Sequence, residues 1–178
     1  MRGITIIGMK RFIKAIYNVS EFLGQFAKYF LLLLMMIVFY EVISRYIFNN
    51  PTIWALESAK MALGTMVVLS FSYADLYGDH IRVDILYNKF SRRVKAWINV
   101  ILSVAFLFPF LFVLCIGSIK KSIVAWKLGE KLVETSWLPP ALPIRIVVTI
   151  GLIMFTIQSM PQFFKELYFL IKNEELII

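Results

Sequence analysis

The sequence predicts an all-α integral membrane protein with four transmembrane helices. Of its 178 residues 60% are hydrophobic and the mean hydropathy is +0.78, whereas soluble domains are about 45–50% apolar. A spanning helix needs roughly 20 apolar residues, and residues 96–119 and 146–164 are free of charge over about that length. Two shorter apolar stretches, residues 29–40 and 61–74, become long enough if their charged neighbours belong to the helix.

The first helix is expected over residues 22–48, with Glu41 and Arg45 near its far end. The residues before it combine bases with aromatic side chains, which suits a helix lying at the membrane surface. Because this segment lacks the compact apolar core and the cleavage site of a signal peptide, we expect it to be retained.

The second helix is expected over residues 51–77. Asn50 is a good N-cap, Pro51 suits the first helical position, and Gly78 is a residue type that commonly ends a helix. We therefore predict a tight hairpin between the first two helices.

The third and fourth helices are expected over residues 91–127 and 142–170. Ser91 can cap the third helix, and Pro109 inside it predicts a bend. Prolines cluster just before and at the start of the fourth helix. They are Pro139, Pro140 and Pro143.

Lysine and arginine residues predict that both termini are cytoplasmic, since cytoplasmic connections are enriched in these bases. Eleven bases fall on the side of the termini: Arg2, Lys10, Arg11, Lys14, Arg82, Lys89, Arg92, Arg93, Lys95, Lys165 and Lys172. Seven fall on the other side: Arg45, Lys60, Lys120, Lys121, Lys127, Lys131 and Arg145. Trp54, Trp126 and Trp137 on the outer side and Trp97 on the inner side agree with interfacial tryptophan belts.

The net charge of +8 does not indicate a nucleic-acid partner, because the bases lie beside apolar runs and suit membrane lipids instead. The single cysteine, Cys115, can form no internal disulfide and is interpreted as a small apolar residue. The only histidine, His80, has Asp79 and Asp84 nearby, but a metal site needs further ligands. We expect no metal, no cofactor and no catalytic residue.

Glu41 and Arg45 are four residues apart and share a helix face. They are either an interfacial pair whose long side chains reach the headgroups or a pair that faces other helices and fixes packing or a partner. A substrate or proton site is a third possibility. Glu57 pairs either with Lys60 on its own helix or with Arg45 across the hairpin.

Two motifs resemble the small membrane subunit of TRAP transporters, the DctQ-like family. In the segment EVISRYIFNNPTIWALE, the family pattern falls on Arg45 and its three successors, then on Trp54 and Glu57. The segment HIRVDIL matches a His-aliphatic-Arg-aliphatic-Asp element. Its polar members are His80, Arg82 and Asp84.

The resemblance implies a role rather than a reaction. The partners it implies are a large membrane subunit, which carries the substrate and ion sites and moves as an elevator, and a periplasmic substrate-binding protein. The substrates would be carboxylates and the driving force commonly a sodium gradient. The small subunit would enlarge the static scaffold. On this interpretation the packing or interface candidates are Glu41, Arg45, Trp54, Glu57, His80, Arg82 and Asp84.

Other functions stay open at this point. A small homo-oligomeric channel or carrier would need a polar stripe along a spanning helix, and a membrane enzyme would need clustered His, Asp or Glu. A group of outer bases either flanks a helix end or docks an acidic periplasmic protein. These bases are Lys120, Lys121, Lys127 and Lys131.

Overall fold

The computed structural model describes residues 2–77 and 90–172, with side chains described from Ile13 onward. Five α-helices make up most of the described chain, and no strand occurs within it. They are α1 (Arg2–Tyr46), α2 (Ala55–Tyr77), α3 (Arg92–Leu102), α4 (Phe108–Leu128) and α5 (Leu142–Lys172). A π-helical turn, Ser103–Leu107, joins α3 to α4.

The prediction of an all-helical membrane protein is confirmed, but the count of four spans is not. Three described helices are long and apolar enough to cross a membrane: Ile13–Tyr46, Arg92–Leu128 and Leu142–Lys172. The helix α2 is not among them, although its 23 residues rise about 34 Å. It carries Glu57, Lys60 and Asp75 near its two ends, so only the run of residues 61–74 within it is free of charge.

The helix α1 is longer than expected. It runs without a break from Arg2 to Tyr46, so the segment before residue 22 continues the first helix instead of forming a separate one. The α3–α4 segment and α5 begin and end within two residues of the predicted 91–127 and 142–170.

The expected start of the second helix at Pro51 is wrong, because α2 begins at Ala55. Asn50 closes the preceding helix instead of capping the next one: its amide donates to the carbonyl of Ser44 at 2.9 Å. The Ser44 hydroxyl in turn donates to the carbonyl of Asn50 at 2.5 Å. Asn49 adopts a left-handed conformation with φ of 48°, which asparagine tolerates.

A π turn lies immediately before Pro109, the residue at which the sequence predicts a bend. The amide of Phe108 donates to the carbonyl of Ser103, five residues back. Proline lacks an amide hydrogen, and its ring clashes with the carbonyl four residues earlier. The wider turn therefore lies where a regular helix would meet that clash.

The helix α2 packs between α1 and α5, and α5 packs on α3 and α4. Small residues allow these close approaches. A Cβ atom at Gly24 of α1 would overlap the ring of Tyr73, and one at Gly151 of α5 would overlap the Val68 side chain. The rings of Phe71 and Phe155 also meet, with centroids 5.7 Å apart.

Candidate functional site

The connections 47–54 and 129–141 lie at the same end of the bundle, which we call the turn end. The backbone amide of Glu134 donates to the carboxylate of Glu57 at 3.2 Å and links the second connection to α2. The Lys60 ammonium pairs with the Glu134 carboxylate. The turn end therefore contains most of the outer residues that the sequence singled out.

Glu41 connects α1 to the first connection. One carboxylate oxygen accepts from Arg45, with Nη2 at 2.7 Å and Nε at 3.1 Å. The other oxygen accepts from the amide of Thr52 at 3.1 Å and from the Thr52 hydroxyl. The Glu41 side chain is 17% exposed and that of Arg45 54% exposed. The acid thus faces the turn, and the base lies at the surface.

Trp54 lies against the same hairpin. Its ring stacks on that of Tyr40, with centroids 5.6 Å apart and planes 29° apart. This aromatic pair joins α1, at the residue before Glu41, to the first connection. The sequence indicated Trp54 as an interfacial anchor but did not predict its partner on α1.

Glu57 has neither of the partners expected from the sequence. It is buried, with 2% exposure, and its described contact is the amide of Glu134. Within residues 13–77 and 90–172 no ion pair joins Arg45 to Glu57, and Lys60 pairs with Glu134. Glu57 therefore holds the second connection against α2, a long-range contact that local spacing could not predict.

The second connection is closed by an ion pair that the sequence reasoning missed. Both nitrogens at the end of Arg145 bind Glu130, each at 2.5 Å, and Nη1 also donates to the carbonyl of Lys121 at 3.0 Å. The fork of a guanidinium matches a carboxylate in this way. Sequence separation alone gave no signal for this pair, because a proline-rich connection lies between the two residues.

The four outer bases remain on the surface of the turn end. All of them are exposed: Lys120, Lys121, Lys127 and Lys131. Lys131 pairs with Pro140 through an isolated backbone bridge, which orders the connection. These lysines form a positively charged surface next to the Glu130–Arg145 pair.

The opposite end of the bundle has its own polar contacts. Tyr77 donates to Glu21 at 2.6 Å, and Arg92 pairs with Glu166 at 2.6 Å. A cavity of about 550 Å³ lies between the π turn and α5, and Asn99 and Glu166 contribute to its lining. His80, Arg82 and Asp84 lie outside the described residues. The described part of the chain contains no cluster of three or more metal-ligating side chains.

Polar side chains between helices are bound to one another. Ser20 of α1 donates to the side-chain oxygen of Gln158 at 2.8 Å. Gln158 is fully buried, and its amide nitrogen has no hydrogen-bond partner among the described residues. Cys115 lies 3.5 Å from the Thr156 hydroxyl, and Ser118 lies 2.7 Å from that of Thr149.

Comparison with known proteins decides the family. Residues 34–168 match the family described as tripartite ATP-independent periplasmic transporters, DctQ component. The chain belongs to the DctQ family. The matched region contains every described residue of the turn end, and it confirms the resemblance seen in the two sequence motifs.

A curated relative agrees with this assignment. The chain is 33% identical over 101 residues to the C4-dicarboxylate TRAP transporter small permease protein DctQ of Vibrio cholerae serotype O1. The alignment covers 57% of this chain and 42% of that relative, so the chain spans less than half the length of the relative. As a DctQ-family member, this chain is a transporter component and not an enzyme. It is a multi-pass protein of the inner membrane.

Proposed function

We propose that this chain is the small membrane subunit of a TRAP-type secondary transporter for carboxylates. It packs beside a separate large subunit, which holds the substrate and ion sites, and it forms part of the static scaffold. The family match over residues 34–168 carries this proposal. A sodium gradient would drive the whole complex through sites in the large subunit.

The described interior supports a scaffold. Serine, threonine and cysteine side chains of α4 and α5 bind one another across the helix interface, as Ser122 and Thr149 do at 2.9 Å. Hydrogen bonds of this kind hold membrane helices together. A homo-oligomeric channel, the alternative function, would need such groups to face a water-filled path.

We further propose that α2 is a fourth span and that the turn end faces the periplasm. The helix α2 starts beside Glu41 and ends beside Glu21, so it runs antiparallel along residues 21–41 of α1. Since α1 and α5 on either side of it are long and apolar enough to cross the membrane, α2 crosses the same layer. The excess of bases near the chain termini supports cytoplasmic termini.

The exposed lysines of the turn end would then face the periplasm. A positive surface attracts an acidic region of an approaching protein and speeds the encounter. We therefore propose that Lys120, Lys121, Lys127 and Lys131 help dock the periplasmic substrate-binding protein. The aromatic residues and bases near the helix ends would contact membrane lipids.

Purification from native membranes tests the proposal. The tagged chain would be extracted in a gentle detergent, and bound proteins would be identified by mass. We expect recovery of a much larger multi-pass membrane protein in constant ratio to the chain. Recovery of this chain alone, or as a homo-oligomer, would contradict the proposal and favour the channel.

A further inference from the structure

Lys28 of α1 is exposed on the surface of the bundle. Along the helix axis, however, it lies far from both ends of the apolar part of the bundle. Gly24, one turn earlier, contacts Tyr73 of α2, so Lys28 lies near the level of Leu69. Leu69 is eight residues from the end of α2 at Tyr77 and fourteen from its start at Ala55. At about 1.5 Å per residue, Lys28 is roughly 12 Å and 21 Å from the two ends of α2.

The described part of the chain supplies no anion for this ammonium group. No carboxylate within residues 13–77 and 90–172 forms an ion pair with Lys28. Its described contact is the ring of Tyr29, whose centroid is 5.5 Å from Nζ. The acid on the same face, Glu21, is two turns away and accepts from Gln25 and Tyr77.

Lipid alone is a poor environment for this group. A lysine inside a spanning segment normally faces the interior of a bundle or pairs with an anion. Reaching a headgroup requires a side chain that bridges the distance, and the four-carbon stem of lysine extends roughly 6 Å. That is about half of the distance to the nearer end of α2.

Lys28 belongs to an exposed stripe along α1, beside the face of that helix that packs on α2. Along the helix it continues with apolar side chains at helical spacing, all of them exposed: Leu32, Met35 and Phe39. The stripe is therefore polar around Gln25 and Lys28 and apolar toward the turn end. A partner helix that is apolar with one acid at the depth of Lys28 would complement it.

We propose that this stripe of α1 is the surface on which a membrane helix of the large subunit packs, and that an aspartate or glutamate of that helix pairs with Lys28. The inference rests on the proposed function, since it requires a large subunit. It names the contacting helix, its face and the charge that the partner carries.

Photo-crosslinking tests whether the stripe of α1 is the surface that contacts the large subunit. A benzophenone amino acid would replace Leu32 on the stripe or Phe112 on α4, both exposed, in cells that make the native complex. The helix α4 packs on α5 and provides the matched control. We expect a crosslink to the large subunit from position 32 and at least tenfold less from position 112. Crosslinking from position 112 alone would overturn the inference.

Charge substitutions at Lys28 test the proposed ion pair with a carboxylate of the large subunit. We expect Lys28→Glu to lower the amount of large subunit recovered with the chain at least tenfold, and Lys28→Met to lower it severalfold. Lys28→Arg should retain nearly all of it, and Arg93→Glu, at an exposed base near the start of α3, is the control. Full recovery with both Lys28→Glu and Lys28→Met would show that no carboxylate of the large subunit pairs with Lys28, and would overturn the inference. Failure of the unaltered chain to recover a large subunit would instead refute the proposed function.

Discussion

Glu41 binds Arg45 with one carboxylate oxygen and Thr52 with the other. The first contact stays within one turn of α1, and the second closes the connection between α1 and α2. These two contacts have different consequences because Arg45 is largely exposed, and exposed ion pairs contribute little to stability. The loop contact is therefore the one that fixes the hairpin.

We predict that Glu41→Ala lowers the Tm of the protein in detergent at least twice as much as Arg45→Ala. The first substitution removes both contacts, and the second removes only the exposed ion pair. Thermal unfolding followed by tryptophan fluorescence measures the difference. Equal losses, or a larger loss for Arg45→Ala, would contradict this assignment.

Gly24 and Gly117 form a matched pair for testing helix packing. A Cβ atom at Gly24 would overlap Tyr73, whereas one at Gly117 would have no heavy atom within 4 Å. We expect Gly24→Ala to lower the free energy of unfolding by about 1–3 kcal/mol, as overpacking does. Gly117→Ala should be neutral or stabilising by about 0.5–1 kcal/mol, because alanine favours a helix.

Denaturant unfolding in a fixed detergent would measure both glycine variants. Replacing Tyr73 by alanine in the Gly24→Ala background should recover part of the lost stability by making room. If Gly24→Ala were as stable as Gly117→Ala, α1 and α2 would not approach as closely as the structure shows.

Impermeant thiol labelling tests whether α2 crosses the membrane. Asn50 and Ser91 lie in the described segments just before α2 and just before α3. In a Cys115→Ser background, we expect Asn50→Cys to react in intact spheroplasts and Ser91→Cys to react only after permeabilisation. Labelling of both positions from the same side would show that α2 does not span.

Salt dependence tests the docking surface. We expect the Lys120→Gln, Lys121→Gln double variant to associate severalfold more slowly with the purified periplasmic binding protein at low ionic strength. The difference should shrink above physiological salt, where charges are screened within about 8 Å or less. The Arg93→Gln, Lys172→Gln double variant removes equal charge at the opposite end and should associate like the unaltered chain.

The binding kinetics would be measured with the transporter in nanodiscs, so that both faces are accessible. If the turn-end lysines steer docking, the association rate of the unaltered chain falls as salt rises. An association rate indifferent to ionic strength in every variant would leave the turn-end lysines with no role in docking.

The parts of the fold that could be predicted from the sequence depend on local signals. Charge-free runs located α4 and α5 because crossing a bilayer requires them. The Glu41–Arg45 pair followed from helical spacing. Asn50 shows where local signals mislead: it is a good N-cap by type, yet its amide bonds to Ser44 and closes the previous helix.

Contacts between distant segments were not predictable in this way. Nothing in the spacing of Glu57 and Glu134, or of Glu130 and Arg145, indicates that they meet. Lys28 was missed for another reason. At the edge of the apolar run it resembled a flanking charge, and only the contact of Gly24 with Tyr73 shows its depth in the bundle.

The composition of the purified complex shows most directly whether this chain is a transporter subunit. Native mass spectrometry of complexes released from inner membranes would weigh this chain of 20.7 kDa together with whatever remains bound. We expect a species that contains this chain and a much larger membrane protein in a fixed ratio. A series of masses that are multiples of this chain alone would contradict it.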